Sequence, residues 1–272
     1  MFSLKNKIIL VTGAAGLLGR QHVEAILQFE GTPILLDINI KGLQLFFDEI
    51  KKKYPKNNCS MYVLDITKED DIKNCCDEII KKYDKIDCLV NNAANNPKVE
   101  SDSNINFSRL EHFTIEDWEK DIKIGLTGAF FCIKYFGTQI SKNPNGGSII
   151  NISSDLGLIA PDQSLYRSNL FDIDNQPVKP ITYSVIKTAL IGLTRYVATY
   201  WPEKKVRCNA ICPGGVENNQ NQIFINEVVK KIPLGRMANK NEFQGLLVYL
   251  LSDSSSYING AIIAADGGRT TW

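Results

Sequence analysis

The chain has 272 residues, 44% hydrophobic and 22% charged, enough for one large globular unit with a sizeable core. Thirty-one basic residues against thirty acidic ones leave a net charge of +1, which supplies no general field for nucleic acid or an anionic membrane. No apolar run reaches membrane-spanning length and residues 1–7 lack the layout of a signal peptide, so a cytoplasmic location and no membrane partner are expected.

In chain order, short apolar runs bounded by turn residues recur: KIILVT, PILLD, SMYVLD, DCLVNN, SIINIS, VRCNAICP and AIIAA. Between them lie helical patterns near 17–30, 41–54, 69–83, 115–140, 180–200 and 239–251. Strands apolar on both sides, alternating with helices, imply an α/β fold. The expected form is a doubly wound, mostly parallel seven-stranded sheet with helices on both faces, in a single unit 1–272. Three stretches, 95–113, 160–180 and 216–238, read as loops around a substrate, and long ordered connections of this kind are often functional. The seven cysteines follow no metal or disulfide spacing and read as small buried hydrophobes. Only His22 and His112 are present, without a ligand cluster, so no metal is expected.

The first run ends in TGAAGLLGR, directly before a helical pattern. Glycines 13, 16 and 19 allow a tight turn, close approach of backbone to a pyrophosphate, and close packing of helix on strand. The helix N-terminus then offers N–H donors and the positive end of its dipole. Asp37 closes the second strand, where a carboxylate accepts from ribose hydroxyls and repels a 2′-phosphate. No arginine stands at 16 or 38, so NAD is favoured over NADP, with Lys41 the one nearby cation. A nucleotide-kinase loop is excluded, because no Gly-Lys-Ser/Thr follows at the required spacing.

The stretch ITYSVIKTAL places Tyr183 and Lys187 one helical turn apart, beside an apolar stripe of Ile186, Leu190, Leu193 and Val197. An ordinary amphipathic helix accounts for that pair taken alone. Seven features in order change the reading: the Thr-Gly loop, LDI at 64–66, NNAA at 91–94, NISSDLG at 151–157, YSVIK at 183–187, RCNAICPGG at 207–215 and ADGG at 265–268. With these the chain resembles the short-chain dehydrogenase/reductase family over nearly its whole length.

The resemblance implies Ser154 as the group that polarises the substrate oxygen, Tyr183 as general acid/base, and Lys187 as the cation that lowers the tyrosine pKa and bonds the nicotinamide ribose. It also implies a cofactor wall of Gly13, Ala15, Gly16, Leu17, Leu18, Asp37, Asp65, Ile66, Asn92, Ala93, Ala94, Pro213, Gly214 and Val216. Ser154 is preferred to Ser153 because it holds the Ser-x-x-Gly position ending at Gly157. Bringing a phenol from about 10 to neutral pH requires about 4 kcal/mol. A lysine charge about 6 Å away at an effective dielectric of 20 supplies ~2.8 kcal/mol of it. A homotetramer or dimer is expected, with the helices at 115–140 and 180–200 as faces.

Three departures stand out. The family's common TGxxxGxG has Leu17 at its middle glycine here, and the spacing TGxxGxxG is similar to the extended branch that includes sugar-nucleotide epimerases and dehydratases. Ser154 and Tyr183 are 29 positions apart, more than is usual in the short branch; Tyr166 is nearer the usual place but has Leu170 four residues on, and reads as a loop residue. Gly125 stands where an asparagine normally completes a proton relay, so water or a polar group from another element is expected there. The expected activity is NAD-dependent oxidation or reduction of a secondary alcohol or ketone. The alternatives are an isomerase or dehydratase with tightly bound NAD, and a non-catalytic nucleotide-binding subunit. Polar loop residues (Asn95, Asn96, Lys98, Arg109, Gln163, Arg167, Asn169) suit hydrogen bonding to a sugar. The glycine loop and the long Ser–Tyr spacing, both similar to the sugar-nucleotide branch, imply a sugar or sugar-phosphate and surface-glycan synthesis.

Overall fold

A computed structural model describes residues 2–95, 108–167 and 172–272; Asn96, Lys98, Asn169 and Leu170 lie outside the described residues. Seven strands, β1 (Ile8–Thr12), β2 (Thr32–Asp37), β3 (Ser60–Val63), β4 (Cys88–Asn91), β5 (Gly147–Ile152), β6 (Val206–Pro213) and β7 (Ile262–Ala265), form one sheet in the order β3-β2-β1-β4-β5-β6-β7. All six pairings are parallel. The chain doubles back between β1 and β4, which opens a crevice at their carboxyl ends.

The helices are α1 (Leu17–Gln28), α2 (Ile40–Lys53), α3 (Glu69–Tyr83), α4 (115–140), α5 (Ile181–Tyr200), α6 (Gln222–Val229) and α7 (Gln244–Leu251). Alternate strand residues serve opposite faces. Ile9 and Val11 pack with α1, α2 and α7, while Ile8 and Leu10 pack with α3, α4 and α5. That is why all five residues of β1 are apolar or buried and why no polar stripe runs along it. All seven cysteines are free and buried in this frame, as the apolar runs around them predict.

Helix α4 is not uniform: π-helical stretches Lys123–Thr127 and Ile133–Gly137 interrupt its α-helical turns. Gly125 lies in the first of them, facing Ile186 of α5. Helix α6 lies within the segment 216–238 read as a loop, and closes over the cleft with Phe224 and Val228. Among the described residues no helix is long and apolar enough to cross a membrane.

Candidate active site

At the carboxyl ends of the central strands the sheet opens into a cleft of about 910 Å³. Every residue named above for the cofactor or the reaction lines it, from Gly13 at one end to Val216 at the other. Residues far apart in sequence meet there because parallel strands bring all their carboxyl ends to one edge.

The loop after β1 is shaped by its glycines. Gly13 has φ +63°, a conformation that disfavours a side chain, and a Cβ at Gly19 would collide with the Gly13 carbonyl. Gly16 begins α1 without a side-chain cap, so the first-turn N–H groups are open to an anion. Thr12 stitches this loop to the next one: its Oγ1 accepts from the N–H groups of Asn92 (3.0 Å) and Ala93 (3.1 Å). Asn92 Nδ2 returns bonds to the carbonyls of Thr12 (3.0 Å) and Gly13 (3.1 Å). Asp37 holds the same loop, accepting from Ala15 N–H at Oδ2 and from Asn39 N–H at Oδ1, both at 2.9 Å. It therefore caps backbone as well as facing the cleft, and its oxygens keep lone pairs for a ribose. The uncapped helix end, the glycine turn and the carboxylate together fit a dinucleotide.

At the other end stand Ser154, Tyr183 and Lys187. Ser153 Oγ donates to the Lys187 carbonyl at 2.6 Å, so the neighbouring hydroxyl is spent on helix α5. Ser154 Oγ donates to Asp155 Oδ1 at 2.8 Å and accepts from Leu156 N–H at 3.2 Å. Asp155 Oδ2 pairs with Arg269 Nη1 at 2.8 Å, with the two side chains only 4% and 9% exposed. Lys187 Nζ donates to the Ile152 carbonyl at 2.8 Å and lies 5.8 Å from the centre of the Tyr183 ring. A second ammonium is nearer: Lys179 Nζ lies 3.9 Å from that centre.

Burial dominates the titrations. It lowers Lys187 to about 8, with Lys179 acting in the same sense and Cys212 opposing; burial also lowers Lys179 to about 8 against the pull of Asp155. Tyr183 is raised above its ordinary 10 by burial and by Asp155, with the nearby Ser154 hydroxyl opposing. In the chain without cofactor, desolvation of the phenolate thus outweighs the opposing Ser154 hydroxyl, and the expected lowering of Tyr183 is not present.

Tyr166, read as a loop residue, is half-buried on the cleft wall, stacked obliquely on Phe224 at 5.7 Å, and pushed up to about 12 chiefly by burial. Arg109 instead ties the two long loops, bonding the carbonyls of Ile173 and Gln176 (both 3.4 Å). Arg167 is exposed and does not line the cleft. Sequence reasoning passed over Thr12, Asp155, Lys179 and Arg269. Thr12 and Lys179 carried a signal, the first inside the Thr-Gly motif and the second four positions before Tyr183; Arg269 carried none.

A parallel sheet with a glycine loop, a half-buried tyrosine and a buried lysine at its carboxyl edge defines a dinucleotide-dependent oxidoreductase. Residues 7–168 match the short chain dehydrogenase family and residues 173–270 a family described as Enoyl-(Acyl carrier protein) reductase. The chain belongs to the short-chain dehydrogenase/reductase family, whose members act on CH–OH or keto groups. It is 30% identical over 267 residues to Post-translational flagellin modification protein A of Campylobacter coli, covering 97% of this chain and 98% of that one. It is 29% identical over 283 residues to an NADP-dependent mannitol dehydrogenase of Hypocrea jecorina, covering 100% and 95%. A solved short chain dehydrogenase of Leptospira borgpetersenii with bound NAD+ superposes with a TM-score of 0.83 at 27% identity, covering 98% of this chain and 94% of that one.

Proposed function

We propose that residues 1–272 act as one catalytic unit that moves a hydride between NAD(H) and a secondary alcohol or ketone on a polar, hydroxylated substrate. The observation that carries this is the meeting of Ser154, Tyr183 and Lys187 in the cleft that the glycine loop enters. In this reading Tyr183 exchanges the proton of the substrate oxygen, Ser154 holds that oxygen, and Lys187 sets the charge around Tyr183. The residues from Gly13 to Leu18, with Asp37, Asp65, Ile66, Asn92, Ala93, Ala94, Pro213, Gly214 and Val216, hold the cofactor, which supplies the hydride chemistry.

Asp37 favours NAD by presenting a carboxylate where a 2′-phosphate would fall. The relatives differ here, the Leptospira structure holding NAD+ and the mannitol dehydrogenase being NADP-dependent. The test is the ratio of NAD to NADP affinity before and after Asp37→Ala; an unmodified protein preferring NADP refutes the assignment.

A sugar or sugar-phosphate in surface-glycan synthesis is supported by the mannitol dehydrogenase and flagellin-modification relatives. Lys179, beside Tyr183, is among the cations that line the cleft, whereas Arg167 is not. The apolar wall of Phe224, Val228 and Met237 favours a second reading, a ketoacyl substrate. Comparing kcat/KM for polyols and hydroxylated sugars with that for ketoacyl thioesters decides between them. An isomerase with bound NAD would show product without a change at 340 nm. Tyr183→Phe should abolish turnover and spare NAD binding; retained turnover refutes the catalytic assignment. We place the protein in the cytoplasm as a homotetramer or dimer, using the exposed Phe130, Val185, Tyr196 and Tyr200 on α4 and α5. Sedimentation as a monomer at micromolar concentration refutes that assembly.

A further inference from the structure

Gly125 leaves no gap. A Cβ there would stand 2.7 Å from Cγ2 and 3.1 Å from Cδ1 of Ile186, so the space is filled from α5. A polar group is nevertheless present one turn earlier on α4. Asp121 is 8% exposed, and its two oxygens are held from different elements. Asn95 Nδ2, just past β4, donates to Oδ1 at 2.7 Å, and Thr182 Oγ1, next to Tyr183 on α5, donates to Oδ2 at 2.6 Å.

Between this cluster and Lys187 lies a small cavity, bordered by Asn95, Asp121, Gly125, Tyr183 and Lys187. Its volume open to the centre of a water molecule is about 10 Å³, room for a single water among polar partners. Lys187 as an ammonium has three N–H groups, and one is committed to the Ile152 carbonyl.

We propose that Asp121 is the proton store behind Lys187, reached through one water in this cavity. The inference rests on the reading of Tyr183 and Lys187 as the acid/base pair. During alcohol oxidation the substrate proton passes to Tyr183 and the two electrons leave as hydride to the oxidised nicotinamide dinucleotide. The Lys187 ammonium first gives a proton to the water, which gives one to an Asp121 oxygen, and the neutral carboxylic acid releases it to solvent. The Lys187 amine left behind takes up the O–H proton of Tyr183, which restores both Tyr183 and the ammonium. Reduction runs the same path backwards. Asp121 acts through Lys187 and is a positioning and proton-holding residue rather than one that touches substrate.

The test uses the full-length protein with the substrate that the assays above select. Asp121→Asn keeps the shape and one acceptor oxygen, turns the other oxygen into a donor, and takes up no proton. It should lower kcat at least about tenfold, and the solvent isotope effect on kcat should rise. KM should stay within about twofold of the unmodified value. Asp121→Ala should regain kcat as formate is added and not as chloride is added, a repair that a purely structural tether between α4 and α5 would not show. In the cofactor-free protein, ¹³C NMR titration of Lys187 should show its midpoint moved to lower pH by Asp121→Asn. If Asp121→Asn stays within about twofold of the unmodified kcat with an unchanged isotope effect, the proposal is overturned. A kcat loss that formate leaves untouched overturns it as well. Full activity of Tyr183→Phe would instead remove the underlying reading, so the two failures are distinguishable.

Discussion

Lys187→Met gives a stability change that can be worked from the structure. Burial holds this ammonium at about 8 against an ordinary 10.5. That difference means that keeping it charged at pH 7 costs the fold about 3 kcal/mol. Methionine matches its length without the charge, but withdraws the donor from the Ile152 carbonyl, a loss of about 1 kcal/mol. The cofactor-free variant should therefore be about 2 kcal/mol more stable at pH 7, with Tm higher by about 3–4 °C for a chain of this length. The sign with pH follows from linkage. The folded pKa lies below the unfolded one, so between about 8 and 10.5 the unfolded chain binds a proton that the folded chain lacks. The unmodified protein gains stability as pH rises through that window, so the variant's advantage, complete below about 8, shrinks through it. Near 10.5 it gives way to a deficit of up to about 1 kcal/mol from the lost hydrogen bond. Urea or thermal melts at pH 7 and pH 10 read both effects. A variant less stable than the parent at pH 7, or a difference independent of pH, would refute the reasoning. Turnover should be lost in either case, which makes Lys187 a position where activity opposes stability.

Two further outcomes follow from buried contacts. Arg269→Ala strands the Asp155 carboxylate and should cost about 3–5 kcal/mol, whereas Asp155→Leu combined with Arg269→Leu should recover most of it; equal losses in thermal melts would refute the pairing. Gly125→Ala gains about 1 kcal/mol of helix propensity but drives a Cβ into Ile186, so a net loss of about 1 kcal/mol is expected. Adding Ile186→Ala should remove that clash, and a double-mutant cycle in urea checks the coupling.

The fold was legible because its cause is local. Each of the seven strands is a short apolar run, and helical periodicity separates them, so α1, α2, α3 and α5 fall within a few residues of their patterns. Helix α6 was hidden because QIFINEVV is only eight residues long and follows a polar tract that reads as loop. The motif residues reached one cleft because parallel strands share a carboxyl edge. The Asp155–Arg269 pair spans 114 positions and the Asp121–Thr182 bond spans 61, and no spacing rule connects them. The upward shift of Tyr183 in the cofactor-free chain was not legible for the same reason: the neighbouring lysine is visible in sequence, whereas desolvation of the phenol is a property of packing.

The stitch made by Thr12 has a mechanical consequence. One hydroxyl, taking two amide hydrogens from the loop after β4, makes the glycine turn and that loop a single stiff jaw. Asn92 doubles the rivet from the other side. The opposite jaw, residues 216–238, is closed on itself by a bridge between Val216 and Ala238. It rests on the remainder through a small apolar cluster around Leu165, Val228 and Met237, the Lys231–Asp162 ion pair and the Leu234 N–H bond to the Gly267 carbonyl. Under the function proposed above, accommodating a differently shaped substrate would fall to the second jaw, whose sequence can vary while the half built around the glycine turn keeps its shape.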